Sequence, residues 1–277
     1  YGPLNQDMLA AIREVMADPA SRVLIMTGSP KAFAAGADLK EMLAVDPRTA
    51  RSICQLAKDI NELLESMRIP TIAAVGGFAF GGGFELALSC DFRVGGPRTT
   101  VSFPEVGLGI IPGANGMIRA CHIVGPSKAK ELSMLNTMVS GEEAYRLGLL
   151  NWFVKGDETL DAAAREAKKA QKEAKKSGDE AALAAAKAAF KQADAASAQA
   201  EYDAIYGKAV EVARQLCTKP AKALESVKKV MYDAANISGQ QAKLREEVEF
   251  PLLFDTHDQR EGMTAFSEGR APVYTNN

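Results

Sequence analysis

The stretch TIAAVGGFAFGGGFELALSCDFRV, residues 71–94, limits the folds open to this chain more than any other. It starts with an apolar run of strand character, TIAAV, and ends in another, CDFRV. Between them lie a glycine-rich loop and FELALS, a short apolar segment that reads as a buried helix. Strand, helix and strand in such close succession argue for α/β layers around a partly parallel sheet. The apolar run from Ile72 to Leu88 is broken by glycine pairs and by Glu85, so it makes a poor membrane helix.

The flanking sequence repeats that rhythm. Leu4, Met8, Ile12 and Val15 recur at helical spacing before the β-rich run in SRVLIMTGSP. Ile53, Leu56, Ile60, Leu63, Leu64 and Met67 share one helical face, which Pro70 ends just before TIAAV. TTVSF reads as a further strand, followed by the loop GLGIIPGANG. From Pro126 the spacing predicts mainly helix, with Ser140 and Glu143 at capping-box distance, Gly148 as a stop and NWFV as a last short strand. Residues 161–201 differ in kind, with 18 alanines among 41 residues and only Leu183 and Phe190 as large apolar groups. Ser177 and Gly178 break that segment and Asp179 can cap a second helix, which predicts a projecting helical hairpin. Amphipathic helices resume at PAKALESVKKVMYDAA and again at Ser238, which with Gln241 has capping-box spacing. The expected division is a core over 1–155 and a C-terminal helical region over 156–277 that contains the 161–201 insertion.

Composition removes several classes of function. With 33 basic and 35 acidic residues, the formal charge of −2 gives no global reason for strong nucleic-acid or acidic-membrane binding. The basic run REAKKAQKEAKK lacks the interleaved aromatics that stack on bases. Cys54, Cys90, Cys121 and Cys217 lie far apart with no CxxC pair, which fits reduced thiols. His122 and His257 are the only histidines and neither HExxH nor a Cys/His cluster exists, so no metal site is expected. The first twenty residues lack a charged start followed by an apolar block, the pattern of a secretory signal.

The glycines invite a nucleotide-binding reading, but neither Gly76, Gly77 nor Gly81 opens a GxGxxG series, and no GxxxxGK is present. A helix starting behind Gly81 still presents unpaired N–H groups, and the loop KAFAAGADLKEM offers another donor. Two such donors aimed at one carbonyl oxygen make an oxyanion hole, although both loops also fit plain strand-to-helix turns. Glu85 and Glu105 add chemistry, since each lies among apolar neighbours and is costly to bury unpaired. Desolvation and mutual repulsion raise at least one of two such carboxyl groups, which sets a proton donor beside an acceptor. Structural ion pairs are the competing reading, with Arg93 or Arg119 reaching Glu85 from elsewhere. Asp38 fits a loop-orienting or a helix-capping role. No GxSxG elbow and no Cys/His pair announces a nucleophile.

Four segments, AFAAGADLKEM, IAAVGGFAFGGGFELALSCDFRV, FPEVGLGIIPGANG and DQREGMTAFSEGRAP, together resemble the crotonase superfamily, and most closely its enoyl-CoA hydratases. The resemblance implies a repeated ββα spiral, C-terminal helices that mediate a homotrimer or a dimer of trimers, an acyl-CoA thioester as substrate, and no cofactor. It places Ala37 and Gly82 in the oxyanion hole, Ala37, Asp38, Leu39 and Lys40 with Gly82 along the acyl-CoA path, and Glu85 and Glu105 as the catalytic pair. It implies hydration of a trans-2-enoyl-CoA in β-oxidation, in a mitochondrial matrix or a bacterial cytoplasm. A methylglutaconyl-CoA hydratase and a double-bond isomerase are similar alternatives within the family; a scaffold or RNA-associated module is a third from outside enzymology. Two departures stand out: the family's opening strand with its Asn-Arg-Pro turn is absent, and the usual GGTQRL is replaced by the segment from Ala114 to Ala120, ANGMIRA.

Overall fold

The computed structural model describes residues 2–276. Helix α1 (Gly2–Ala17) leads into strands β1 (Leu24–Thr27) and β2 (Ala32–Ala34), then helices α2 (Leu39–Met42) and α3 (Pro47–Ser66). A second round has β3 (Thr71–Val75), β4 (Phe78–Phe80) and α4 (Gly82–Ser89). A third has β5 (Phe92–Gly95), β6 (Thr100–Ser102), a 3-10 turn (Glu105–Leu108) and α5 (Gly116–Met134). In each round the first strand joins one sheet and the second joins another. After α5, β7 (Val139–Ser140), α6 (Gly141–Arg146) and β8 (Trp152–Phe153) complete sheets of order β1-β3-β5-β8 and β2-β4-β6-β7. Every pairing is parallel except β6 with β7. This is the ββα spiral that the sequence resemblance implied.

Period-two alternation in β3 explains why all five of its residues are buried. Ala73 and Val75 face a core with Leu64, Phe84, Leu88 and Val101. Ile72 and Ala74 face the other way, onto Val94 and onto Ile205, Ala209 and Val212 of the long helix α8 (Glu180–Cys217). Each fully buried large aliphatic side chain contributes roughly 1.5–3 kcal/mol.

Three sequence expectations change. Strands β2 and β4 fall within segments read as loops; each has only three residues and is defined by cross-strand pairing such as Ala79 with Val101. Helix α5 begins at Gly116, ahead of Pro126, and breaks at Gly125 (φ 77, ψ 163), so Pro126 opens its second half. The low-complexity segment does not end at a structural boundary. Helix α7 (Glu158–Ser177) stops at Gly178, and Asp179 caps α8 by accepting from Ala182 N at 3.0 Å, but α8 then runs on to Cys217. The two helices lie antiparallel: Ser197 Oγ donates to Asp161, and Lys168 Nζ sits 5.9 Å from the centre of the Phe190 ring.

The base of this pair is tied to the sheets rather than free. Arg98 donates to Asp194 and to Ser197 Oγ, both at 2.9 Å, and its backbone N–H reaches Glu201 Oε1 at 2.7 Å. Helices α9 (Ala221–Asn236), α10 (Gly239–Leu253) and α11 (His257–Glu268) complete the chain, with Ser238 capping α10 as expected. All four cysteines are free. Among the described residues, no helix is long and apolar enough to cross a membrane, and no group of three His, Cys, Asp or Glu side chains is gathered for a metal ion.

Candidate active site

The first carboxylate is placed by the start of α4. Phe84 and Glu85 both donate their backbone N–H to Gly81 O at 2.9 Å, closing the first turn. That turn leaves the Gly82 N–H at the helix start without an intrahelical acceptor and puts the helix dipole's positive end beside it. Phe84 packs its ring on Phe103, centroid to centroid 4.7 Å, and Phe103 stands two residues before Glu105. The aromatic pair therefore ties the two acidic segments together through the core. Gly81 is the hinge between them: its N–H donates to Ser102 O at 3.0 Å, and a Cβ built on it would lie 2.5 Å from Glu105 Oε1. With φ +53 and ψ −126 as well, this position excludes any side chain.

Glu85 and Glu105 are 2% and 8% exposed, and each finds a different environment. Glu85 Oε1 accepts from Ala114 N and from Gly116 N, both at 2.8 Å. These donors come from the loop that enters α5, where Asn115 takes a left-handed conformation (φ 67, ψ 12) and turns its two neighbours' N–H groups onto one oxygen. Gly116 must approach that closely, because a Cβ on it would be 2.3 Å from Glu85 Cγ. Glu105 Oε2, in contrast, is buried with no hydrogen-bond partner among the described residues.

The charge balance comes from these contacts. Burial pushes the Glu105 carboxyl up to about 7, its own backbone N–H opposes this, and the nearby Glu85 charge adds to the rise. Burial also pushes Glu85 up, but the N–H groups of Gly116 and Ala114, the Arg119 charge and the Gly113 N–H all pull it back. Both carboxyls are thus raised by burial, with two N–H donors opposing the rise at Glu85 and no partner on Glu105 Oε2.

The second glycine loop lies against the same helix start. A Cβ on Gly36 would be 2.8 Å from Phe80 O and 3.7 Å from Gly82 N, and one on Gly83 would strike Ala34 O at 2.1 Å. Ala37, the next residue after Gly36, is partly buried, whereas Asp38, Leu39 and Lys40 are exposed. Asp38 is the N-cap of α2 and accepts from Lys40 N at 2.8 Å, which is the capping role. The structure thus brings the start of α4, Glu85 and Glu105 together, with Gly36 beside Gly82 N and Ala37 next to it in sequence, while Asp38, Leu39 and Lys40 follow on exposed chain at the start of α2. Nothing lies within 4 Å of a Cβ placed on Gly82, so the helix start faces open space.

Neither arginine named as a partner for Glu85 bonds to it. Arg93 donates to Cys90 O and Leu149 O, and Arg119 donates to Glu65 and to Ala114 O. Sequence reasoning missed the donors that hold Glu85, because they are backbone groups of the replaced segment ANGMIRA. The Asn-Gly pair at 115–116 is the one local signal, a dipeptide suited to left-handed backbone.

Residues 3–205 match the family described as enoyl-CoA hydratase/isomerase. A crotonyl-CoA hydratase of Syntrophomonas wolfei is 36% identical over 272 residues, covering 96% of this chain and 87% of the relative. A protein of Arabidopsis thaliana named "Probable enoyl-CoA hydratase 2, mitochondrial" is 30% identical, over 99% of this chain and 77% of its own. The crystal structure of an enoyl-CoA hydratase from Bacillus anthracis superposes with a TM-score of 0.78 at 26% identity, covering 99% of this chain and 88% of that one. The chain belongs to the enoyl-CoA hydratase/isomerase, or crotonase, family.

Proposed function

We propose that the protein hydrates a trans-2-enoyl-CoA to the 3-hydroxyacyl-CoA in β-oxidation. The observation that carries this reading is the buried pair itself: Glu85 fastened by two N–H donors beside Glu105, whose Oε2 has no partner. A buried carboxyl oxygen without a partner is costly unless a ligand or water completes it. In the proposed step both carboxylates hold one water. Its oxygen bonds to the β-carbon while a proton passes to Glu85, and Glu105 gives its proton to the α-carbon, so the C=C π bond becomes new C–O and C–H bonds. The proton on Glu85 then returns to Glu105, and the net change is one added water. The Ala37 and Gly82 N–H groups stabilise the enolate-like charge on the thioester oxygen. Asp38, Leu39 and Lys40 line the acyl-CoA path.

Loss of enoyl absorbance with crotonyl-CoA and longer chains tests the activity. No turnover by folded protein, or full activity in Glu105→Gln, would sink the reading. A rate comparison with methylglutaconyl-CoA separates the branched-chain alternative, and detection of 3-hydroxyacyl-CoA separates an isomerase. Residues 1–155 form the proposed catalytic core and 156–277 the helical region, with 161–201 an insertion hairpin. That region is the proposed trimer or dimer-of-trimers contact, a reading favoured by Leu244, Val248 and Leu252 exposed along one face of α10 and by Phe266 at 89% exposure on α11. The relatives' sources make a mitochondrial matrix or a bacterial cytoplasm the proposed compartment.

A further inference from the structure

The loop that holds Glu85 is itself held from behind. Ala114 O accepts two hydrogen bonds from buried side chains, Arg119 Nη1 at 2.7 Å and Asn61 Nδ2 at 3.1 Å. Arg119 is fixed in turn by a two-point pair with Glu65, Nε to Oε1 at 2.7 Å and Nη2 to Oε2 at 2.5 Å. A planar guanidinium that spends two donors on a carboxylate and a third on a carbonyl has little freedom to rotate. Asn61 is set by its buried place on α3. Ala114 is therefore clamped at its oxygen while its N–H, and that of Gly116, point the opposite way onto Glu85 Oε1.

We propose that Arg119 and Asn61 are positioning residues for Glu85, acting through the single carbonyl oxygen of Ala114 to fix the turn whose N–H groups hold that carboxylate. This rests on the reading of Glu85 as the group that activates water. The two donors differ in one respect: Arg119 brings a positive charge and Asn61 does not. Other titratable and charged groups face this region from each packed element. Glu105 faces Glu85 from the 3-10 turn, Glu65 lies behind Arg119 on α3, Cys54 Sγ lies against Gly113, and Tyr232 of α9 faces the Glu65 and Arg119 pair. Among them Arg119 is the cation whose charge pulls the Glu85 carboxyl down.

The test measures kcat and KM for crotonyl-CoA hydration from pH 5 to 9 in the parent protein, Arg119→Met, Arg119→Lys and Asn61→Leu, with a thermal melt of each. In Arg119→Met, kcat should fall by roughly 10- to 100-fold with KM within about threefold, the scale of a misplaced catalytic group. Its acid limb should move up by about one pH unit, because removing a nearby opposite charge raises a carboxyl. Asn61→Leu should lower kcat and raise the acid limb by less than Arg119→Met does, because it loosens the N–H donors on Glu85 without removing a charge. Arg119→Lys should raise the acid limb by less than Arg119→Met does, since it keeps the charge, while kcat stays depressed because an ammonium lacks the fork. A folded Arg119→Met with unchanged kcat and acid limb, or variants altered only in melting temperature, overturns the proposal. If Arg119→Met does not fold, the Lys and Leu variants decide it by the same criteria. Should the parent protein turn over no enoyl-CoA, the hydratase reading fails on its own, and a crystal structure of Arg119→Lys still tests the clamp. Glu85 Oε1 should have moved from Gly116 N by more than about 0.5 Å, and retention at 2.8 Å refutes it.

Discussion

Replacing Gly116 by alanine converts one short approach into a measurable loss. The added Cβ would stand 2.3 Å from Glu85 Cγ and 3.0 Å from both Glu85 Cβ and Oε1. Carbon atoms in contact keep about 3.5–4.0 Å, so something must yield by more than about 1 Å. Glu85 is buried on α4, whose Phe84 and Leu88 anchor the helix in the core, and the loop is pinned at Ala114 O, so the strain falls on the two 2.8 Å bonds between them. Overpacking of this kind costs about 1–3 kcal/mol. The alanine recovers about 0.4–1 kcal/mol by restricting the unfolded chain, which leaves a modest net destabilisation. Misplacement of a catalytic group by about 1 Å costs about 100-fold in rate. The assay is crotonyl-CoA turnover alongside a thermal melt, with Gly82→Ala as the control because nothing lies within 4 Å of a Cβ there. Gly116→Ala should lose kcat with a small drop in melting temperature, whereas Gly82→Ala should melt like the parent and raise KM by crowding the thioester. Parent-level kcat in folded Gly116→Ala would refute the argument.

Glu105→Gln should trade activity for stability in a pH-dependent way. The folded carboxyl titrates at about 7 against an ordinary 4.5, so its protonated form stabilises the fold below 4.5 and that contribution is lost as pH rises through 7. At pH 8 the ionised group then costs at most about 3 kcal/mol, so Glu105→Gln should melt above the parent at pH 8 and lose that advantage near pH 5; equal melting curves at both pH values count against the shift. The same variant should lose roughly 10²- to 10⁴-fold in turnover. Excising residues 165–191 and joining the ends with a short linker should leave turnover and melting unchanged, whereas removing 161–201 should destabilise the fold, since it takes Asp194, Ser197 and Glu201 away from Arg98; equal melting of the two deletions would show that the Arg98 anchor contributes nothing. Val248→Glu combined with Phe266→Glu should shift sedimentation toward the monomer, and an unchanged profile would place any subunit contact elsewhere.

What the sequence disclosed divides by the range of the interaction involved. Asp38, Asp179, Ser140 and Ser238 were readable as caps because a cap is settled within three residues of chain, and each accepts the backbone N–H expected of it. Glu85 and Glu105 were readable as candidates because a carboxylate among apolar neighbours is conspicuous whatever surrounds it in space. Strands β2 and β4 were hidden, since three residues carry too little periodicity and their identity comes from neighbours in the second sheet. The end of the alanine-rich segment misled for a related reason: an exposed helix and a buried one are both helix, so composition changes at 201 while α8 does not. The support of Glu85 lay furthest from view, for its donors are backbone atoms and Asn61 is 53 residues from the carbonyl it fixes. The same limit applies to the chemistry. Sequence nominates two carboxylates, but their unlike surroundings, two N–H donors on Glu85 and no partner on Glu105 Oε2, exist only in the assembled fold.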